Sequence, residues 1–161
     1  RRGDPSAATA FVRATQADVW RMCAHLGAQW AADDLTQETY ARAFASLHRF
    51  AGRSSARTWL LSIARRVCAD AVRAAVRARG VDLAAAEPAT DPAETVALRA
   101  MLDALDPQRR EAFVLTQLVG LSYAEAADVC GCPVGTIRSR VARARGDLVE
   151  AFGDGYRRRA G

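Results

Sequence analysis

Residues 121–145 read LSYAEAADVCGCPVGTIRSRVARAR, and this stretch decides the fold. Ser122 stands three residues before Glu125, the spacing of a capping box that opens a helix. Gly131 suits the left-handed conformation of a tight turn, and Pro133 suits the first turn of the next helix. In that second helix Val134, Ile137, Val141, Ala144 and Leu148 recur at three- and four-residue steps, giving one buried stripe. Thr136, Ser139, Arg140 and Arg143 share another face, with Arg138 and Arg145 beside it. A short helix, a glycine turn and a basic second helix are what a helix-turn-helix needs to enter a major groove. The competing reading is a solvated arginine face on an ordinary helical hairpin. Caps, turn and both faces agree with each other, which favours DNA recognition.

The chain has 161 residues, enough for one domain or two small ones. Half of them are hydrophobic, alanine dominates and aromatics are few, so an all-α fold is expected. The net charge is +5, and all 23 basic residues are arginine. Residues 1–79 hold 13 Arg against 6 acids, residues 80–95 hold 4 acids and no Arg, and residues 96–161 hold 10 Arg against 8 acids. Two basic blocks around an acidic connector point to two contacts with a polyanion. No apolar run approaches the roughly 20 residues of a membrane span, so no membrane insertion is expected. No signal peptide is visible, which points to the cytoplasm. The chain starts at Arg1 instead of Met, which points to a trimmed N-terminus.

Cys23, Cys68, Cys130 and Cys132 do not make a metal-site pattern. Cys130 and Cys132 have one residue between them, no histidine pair completes a zinc site, and Cys23 with His25 forms an isolated pair. Cys23, Cys68 and Cys130 fall on apolar stripes and read as small buried hydrophobes. Neither a metal nor a cofactor is expected.

Upstream, Asp4 and Pro5 open a helix that keeps an apolar period from Ala8 to Leu26 and stops at Gly27. Asp33 and Asp34 are expected to cap the next helix, DDLTQETYARAFASLHRF, with Tyr40, Ala43, Phe44 and Leu47 on its buried side. Asp34, Gln37 and Glu38 cluster on a different face. Acids in a first turn favour the helix dipole, which is a sufficient structural reason. The functional alternative is a protein-docking face. No nucleophile or metal shell accompanies the acids, so catalysis is not expected and the chain does not read as an enzyme.

Residues 51–57, AGRSSAR, read as a polar basic loop containing Arg53, Ser54, Ser55 and Arg57. Thr58 is expected to cap the helix WLLSIARRVCADAVRAAVRAR. Leu60, Ile63, Ala64, Val67, Cys68, Ala71 and Val72 form its buried stripe, while Arg66, Asp70, Arg73 and Arg77 line an outer face beside Arg65. A basic helix after a small polar loop suits single-stranded DNA, with arginine on phosphate and Trp59 as a stacking surface. Core packing explains Trp59 equally well. An acidic linker over 80–90 then separates residues 1–79 from a second domain over 91–152. There Asp91-Pro92 and Asp106-Pro107 start helices, and a basic tail, 153–161, is expected to fray.

Three stretches in this order, DLTQE at 34–38, SARTWLLSIAR at 55–65 and GTIRSRVARAR at 135–145, resemble the extracytoplasmic-function class of bacterial RNA polymerase sigma factors. The resemblance covers nearly the whole chain. It implies two small helical domains, the second a helix-turn-helix. It also implies that Asp34, Gln37 and Glu38 dock on core RNA polymerase. Arg53, Ser54, Ser55, Arg57, Trp59, Arg65, Arg66 and Arg73 would open the promoter and hold single-stranded minus-ten DNA. Thr136, Arg138, Ser139, Arg140 and Arg143 would contact the double-stranded minus-thirty-five element. Strand separation would come from trapping extruded bases, since no nucleotide-binding loop appears. Such proteins are often held by an anti-sigma factor. Arg66 departs from the asparagine common in the family, and Cys130 and Cys132 replace aliphatic residues. The rival reading is a free-standing helix-turn-helix regulator, which leaves the Asp34–Glu38 face and the loop before Trp59 unexplained.

Overall fold

The computed structural model describes residues 5–27, 29–79 and 93–159. The expected linker over 80–90, and Asp4, Asp91 and Pro92, lie outside the described residues. Within them the fold is all-α: α1 (Pro5–Leu26), α2 (Ala32–Ser46), α3 (Ala56–Arg79), α4 (Ala93–Asp103), α5 (Pro107–Phe113), α6 (Tyr123–Cys130) and α7 (Val134–Arg159). Two 3-10 turns, Gln29–Ala31 and Leu47–Arg49, flank α2, and a π-helical turn, Val114–Leu118, extends α5. Contacts divide the chain into two compact units, Arg1–Ala84 and Ala85–Gly161.

In the first unit, α1, α2 and α3 all pack against one another. Val19, Met22 and Cys23 from α1 meet Leu35, Thr39 and Ala43 from α2 and Leu60, Leu61, Ala64, Val67 and Cys68 from α3. Tyr40 ties α2 to α1 through a 2.7 Å hydrogen bond with Thr15, whose hydroxyl also lies 2.7 Å from the Phe11 carbonyl. Burial pushes the Tyr40 phenol above its ordinary pKa, against the opposing effect of the Thr15 hydrogen bond. At Gly27, just past the end of α1, there is no room for a side chain. A Cβ there would stand 2.5 Å from Leu35 Cδ1 and 2.8 Å from the Cys23 carbonyl oxygen.

Several sequence expectations for this unit change. The 3-10 turn runs directly into α2, so the N-cap falls on Ala31, and Asp33 and Asp34 occupy the first turn without capping it. Ser55, not Thr58, caps α3: the Thr58 amide donates to Ser55 Oγ at 3.0 Å, while Thr58 itself is buried. Phe44 is 44% exposed and Leu47 51% exposed instead of buried. The buried stripe of α2 runs Leu35, Thr39, Ala43, and Phe44 lies one residue off it, about 100° around the axis. Leu47 falls in the tighter 3-10 turn beyond the helix. Val72, two residues past the Asp70 that pairs with Arg42 of α2, is exposed too.

In the second unit, Asp106 caps α5 by accepting from the Gln108 and Arg109 amides at 3.0 and 3.2 Å, with Pro107 in the first turn. Leu102, Leu105 and Ala144 form a buried cluster with Phe113, Leu118 and Leu148 against it. Ile137 and Val141 are buried along the same α7 stripe, which begins at an exposed Val134. The residues expected to fray from 153 continue as helix to Arg159, since a helix already running tolerates glycine at a cost of about 1 kcal/mol.

Candidate nucleic-acid interface

The helix-turn-helix forms as its local signals dictate. Ser122 Oγ accepts from the Glu125 amide at 3.2 Å, and Glu125 Oε2 accepts from the Ser122 amide at 2.9 Å, completing the capping box. Gly131 takes the left-handed conformation at φ 64°, and the Cys132 amide reaches back to the Ala127 carbonyl at 3.1 Å. That six-to-one bond closes α6 and aims the chain into α7. Cys130 and Cys132 are both half-buried, Cys130 against Glu111 and Cys132 against Arg140.

The arginines of α7 between Arg138 and Arg145 divide into two kinds. Arg140 donates to Gln108 Oε1 at 2.6 Å, and Arg145 donates to Gln117 Oε1 at 2.9 Å. Arg138 and Arg143 are exposed and make no hydrogen bond or ion pair among the described residues. Ser139 turns its hydroxyl back to the Thr136 carbonyl at 3.0 Å, and Thr136 is half-buried. At the far end of this face Arg109 pairs with Asp147 at 2.8 Å, which raises the Arg109 pKa. Gln108 and Gln117 were not legible as part of this site, since 32 and 28 residues separate them from the arginines they hold.

The second candidate surface begins at the loop 51–55. Gly52 is left-handed at φ 68° and lets the chain turn there. Phe50 and Trp59 close the loop, their ring centroids 5.1 Å apart, and Trp59 is half-buried at the loop's base. Arg53 and Ser55 are exposed and Ser54 is half-exposed. Arg57 instead turns to α1 and pairs with Asp18 at 2.8 Å. Arg65 is half-buried, while Arg66 is exposed on the rim of a hollow of about 410 Å³ shared with Arg42, Ser46, His48, Arg49 and Ile63. No carboxylate lines it, so the hollow is a concave basic surface. Arg42, His48 and Arg49 had no role in the sequence reading; they join Arg66 only because the end of α2 and its 3-10 turn pack beside α3.

On α2, Asp34, Gln37 and Glu38 are all exposed. Glu38 accepts from Arg42 at 2.7 Å, Arg42 continues to Asp70 at 2.9 Å, and Asp70 also accepts from Arg73. Hydrogen bonds from Arg42 and then Arg73 hold the Asp70 carboxyl below its ordinary pKa, and the same pairing raises Arg42. In the core beneath, hydrogen bonding from Cys68 lowers the Cys23 pKa against the opposing effect of burial. Among the described residues no group of His, Cys, Asp and Glu could hold a metal ion, and no helix is long and apolar enough to cross a membrane.

Two known sequence families match the chain in order. The family described as Sigma-70 region 2 matches residues 11–78, and Sigma-70, region 4 matches residues 95–148. The ECF RNA polymerase sigma factor SigC of Mycobacterium tuberculosis (strain CDC 1551 / Oshkosh) is 52% identical over 157 residues, covering 92% of this chain and 84% of the relative. The chain belongs to the extracytoplasmic-function sigma factors. As a member of this family it is an initiation subunit, binding core RNA polymerase and recognising promoter DNA so that transcription can begin. Two solved structures share the fold. RpoE of Bartonella quintana, crystallised with the anti-sigma factor NepR, superposes with a TM-score of 0.77 at 30% identity, covering 90% of this chain and 96% of that one. CnrH, solved with the cytosolic domain of CnrY, gives a TM-score of 0.78 at 27% identity, covering 94% and 91%. A free-standing helix-turn-helix regulator is not favoured, because it has no counterpart for the region 2 match over residues 11–78.

Proposed function

We propose a division of labour among the surfaces of this sigma factor. Asp34, Gln37 and Glu38 on α2 dock on core polymerase. The loop 51–55 and the outer face of α3 hold the unpaired minus-ten strand, with Arg53 and Arg66 on phosphate or base and the hollow beside Arg66 receiving an extruded base. Thr136, Arg138, Ser139, Arg140 and Arg143 on α7 meet the minus-thirty-five duplex. In this scheme residues 1–79 are the docking and melting domain, 80–90 the linker and 91–152 the upstream anchor. Opening proceeds by capture of unpaired bases, with no covalent step by the chain itself, beside the polymerase in the cytoplasm. The relative from Bartonella quintana was solved with an anti-sigma factor, and an anti-sigma factor is proposed as a partner here also.

The observation that carries the reading is the state of the α7 arginines. Arg138 and Arg143 are exposed and uncommitted, which leaves them available to phosphate or base edges. Arg140 is braced by Gln108 and enters a groove with its guanidinium already oriented. Protection footprinting of the holoenzyme on a cognate promoter tests the scheme. Arg138→Ala with Arg143→Ala should erase protection at minus thirty-five, and Arg66→Ala should weaken protection around minus ten. Unchanged protection in both variants would remove these residues from the interface.

A further inference from the structure

Arg57 occupies the second position of α3, inside the positive end of the helix dipole, and that first turn contains no acid to offset it. A cation there is unfavourable on local grounds, so a tertiary contact must account for it. That contact is Asp18 of α1. Nε and a terminal nitrogen of Arg57 both reach Asp18 Oδ2 at 2.8 Å across a separation of 39 residues. The Asp18 side chain is only 15% exposed, and its other oxygen accepts from Arg21 at 3.3 Å. The base of the loop is closed independently by the Phe50–Trp59 ring contact and by the Ser55 cap. Loss of the ion pair therefore leaves the loop closed and α3 capped. What it removes is a tie between α1 and the first turn of α3, the turn into which the loop runs.

We infer that Asp18 is a positioning residue for promoter opening: through Arg57 it fixes where the loop 51–55 presents Arg53 and Ser54 to the unpaired strand. The inference rests on the proposed role of that loop. Asp18 is itself a poor neighbour for DNA, since its carboxylate repels phosphate, so its influence passes through Arg57. The alternative is that Arg57 contacts DNA directly and Asp18 merely competes for it. The two differ in sign. If Asp18 competes, Asp18→Asn frees Arg57 and strengthens opening. If Asp18 positions, Asp18→Asn and Arg57→Gln share one defect.

The test uses holoenzyme assembled from the full chain and core polymerase, and reads permanganate reactivity of minus-ten thymines on a fully paired promoter and on one with a mismatched bubble. Asp18→Asn and Arg57→Gln should each lower opening of the paired promoter by about fivefold, the scale of a partly exposed ion pair. Both should recover on the bubble, and Asp18→Glu should open the paired promoter like the parent. Core affinity and binding of an isolated minus-thirty-five duplex should not move. Parental or improved opening by Asp18→Asn overturns the inference. Failure of the parent itself to open a promoter that it occupies faults the proposed loop function instead. Should Asp18→Asn not fold, Arg57→Lys decides, since it keeps the charge for phosphate but loses the two-nitrogen grip. Positioning predicts a defect there, and direct contact predicts none.

Discussion

Arg42 on α2 and Asp70 on α3 are joined at 2.9 Å, and each has a second partner: Glu38 for Arg42, and Arg73 for Asp70. The result is a four-residue ladder of alternating charge from the face proposed to meet polymerase to the face proposed to meet DNA. Both ends are exposed, so the ladder orients side chains more than it stabilises the fold.

The ladder responds to acid in a defined direction. The Asp70 carboxyl titrates below its ordinary value because Arg42, and then Arg73, hydrogen-bond its charged form. A depressed folded pKa means that the contribution is fully present above the ordinary carboxylate value and is lost as pH falls through the folded one. An NMR titration of the Asp70 carboxyl should show the low value in the parent and a return toward the ordinary range in Arg42→Gln.

Glu38→Arg should weaken core polymerase binding while leaving isolated minus-thirty-five binding alone. It reverses the charge at the docking face and places a second cation one turn from Arg42. Titration of labelled variant with core, paired with duplex binding of the same preparation, checks both halves.

Arg138→Ala and Arg143→Ala should each cost about 1–3 kcal/mol if the side chain reads a base, or reduce the salt slope by about one if it touches phosphate. Arg140→Ala should follow the same rule. Gln108→Ala, which removes only the brace at 2.6 Å, should show a smaller loss in the same direction. Binding of a minus-thirty-five duplex over a range of salt concentrations separates these cases.

Gly27→Ala should destabilise the first unit by about 1–3 kcal/mol, because the added methyl meets Leu35 Cδ1 at 2.5 Å and a backbone carbonyl at 2.8 Å. Ser122→Ala should destabilise the second unit by about 1 kcal/mol through loss of the cap on α6. Denaturant unfolding of the full chain measures both, and the two effects should add, since the residues lie in separate units.

The helix-turn-helix was legible because its determinants are local. Ser122 with Glu125, Gly131, and the α7 stripe through Ile137, Val141 and Ala144 sit within a few residues of what they control. Asp106 with Pro107 was legible for the same reason. An apolar period puts Phe44, Leu47, Val72 and Val134 on buried faces because it says only which residues could face a core. It does not say how wide the covered stripe is. Nothing local at Arg57 reveals Asp18, and nothing local at Arg66 reveals Arg49 across the hollow. Those pairings depend on how three helices cross. The roles given to the site residues came from the three family-like stretches, and only the geometry distinguishes a braced Arg140 from an uncommitted Arg143.

Run-off transcription with purified core polymerase tests the central claim most directly. Genomic fragments bound by the holoenzyme serve as templates, and core alone is the control. The account predicts discrete transcripts only when this chain is present, starting a fixed distance downstream of a shared pair of sequence elements. Stable core binding with no promoter-dependent transcript, or transcripts unchanged without the chain, would contradict it.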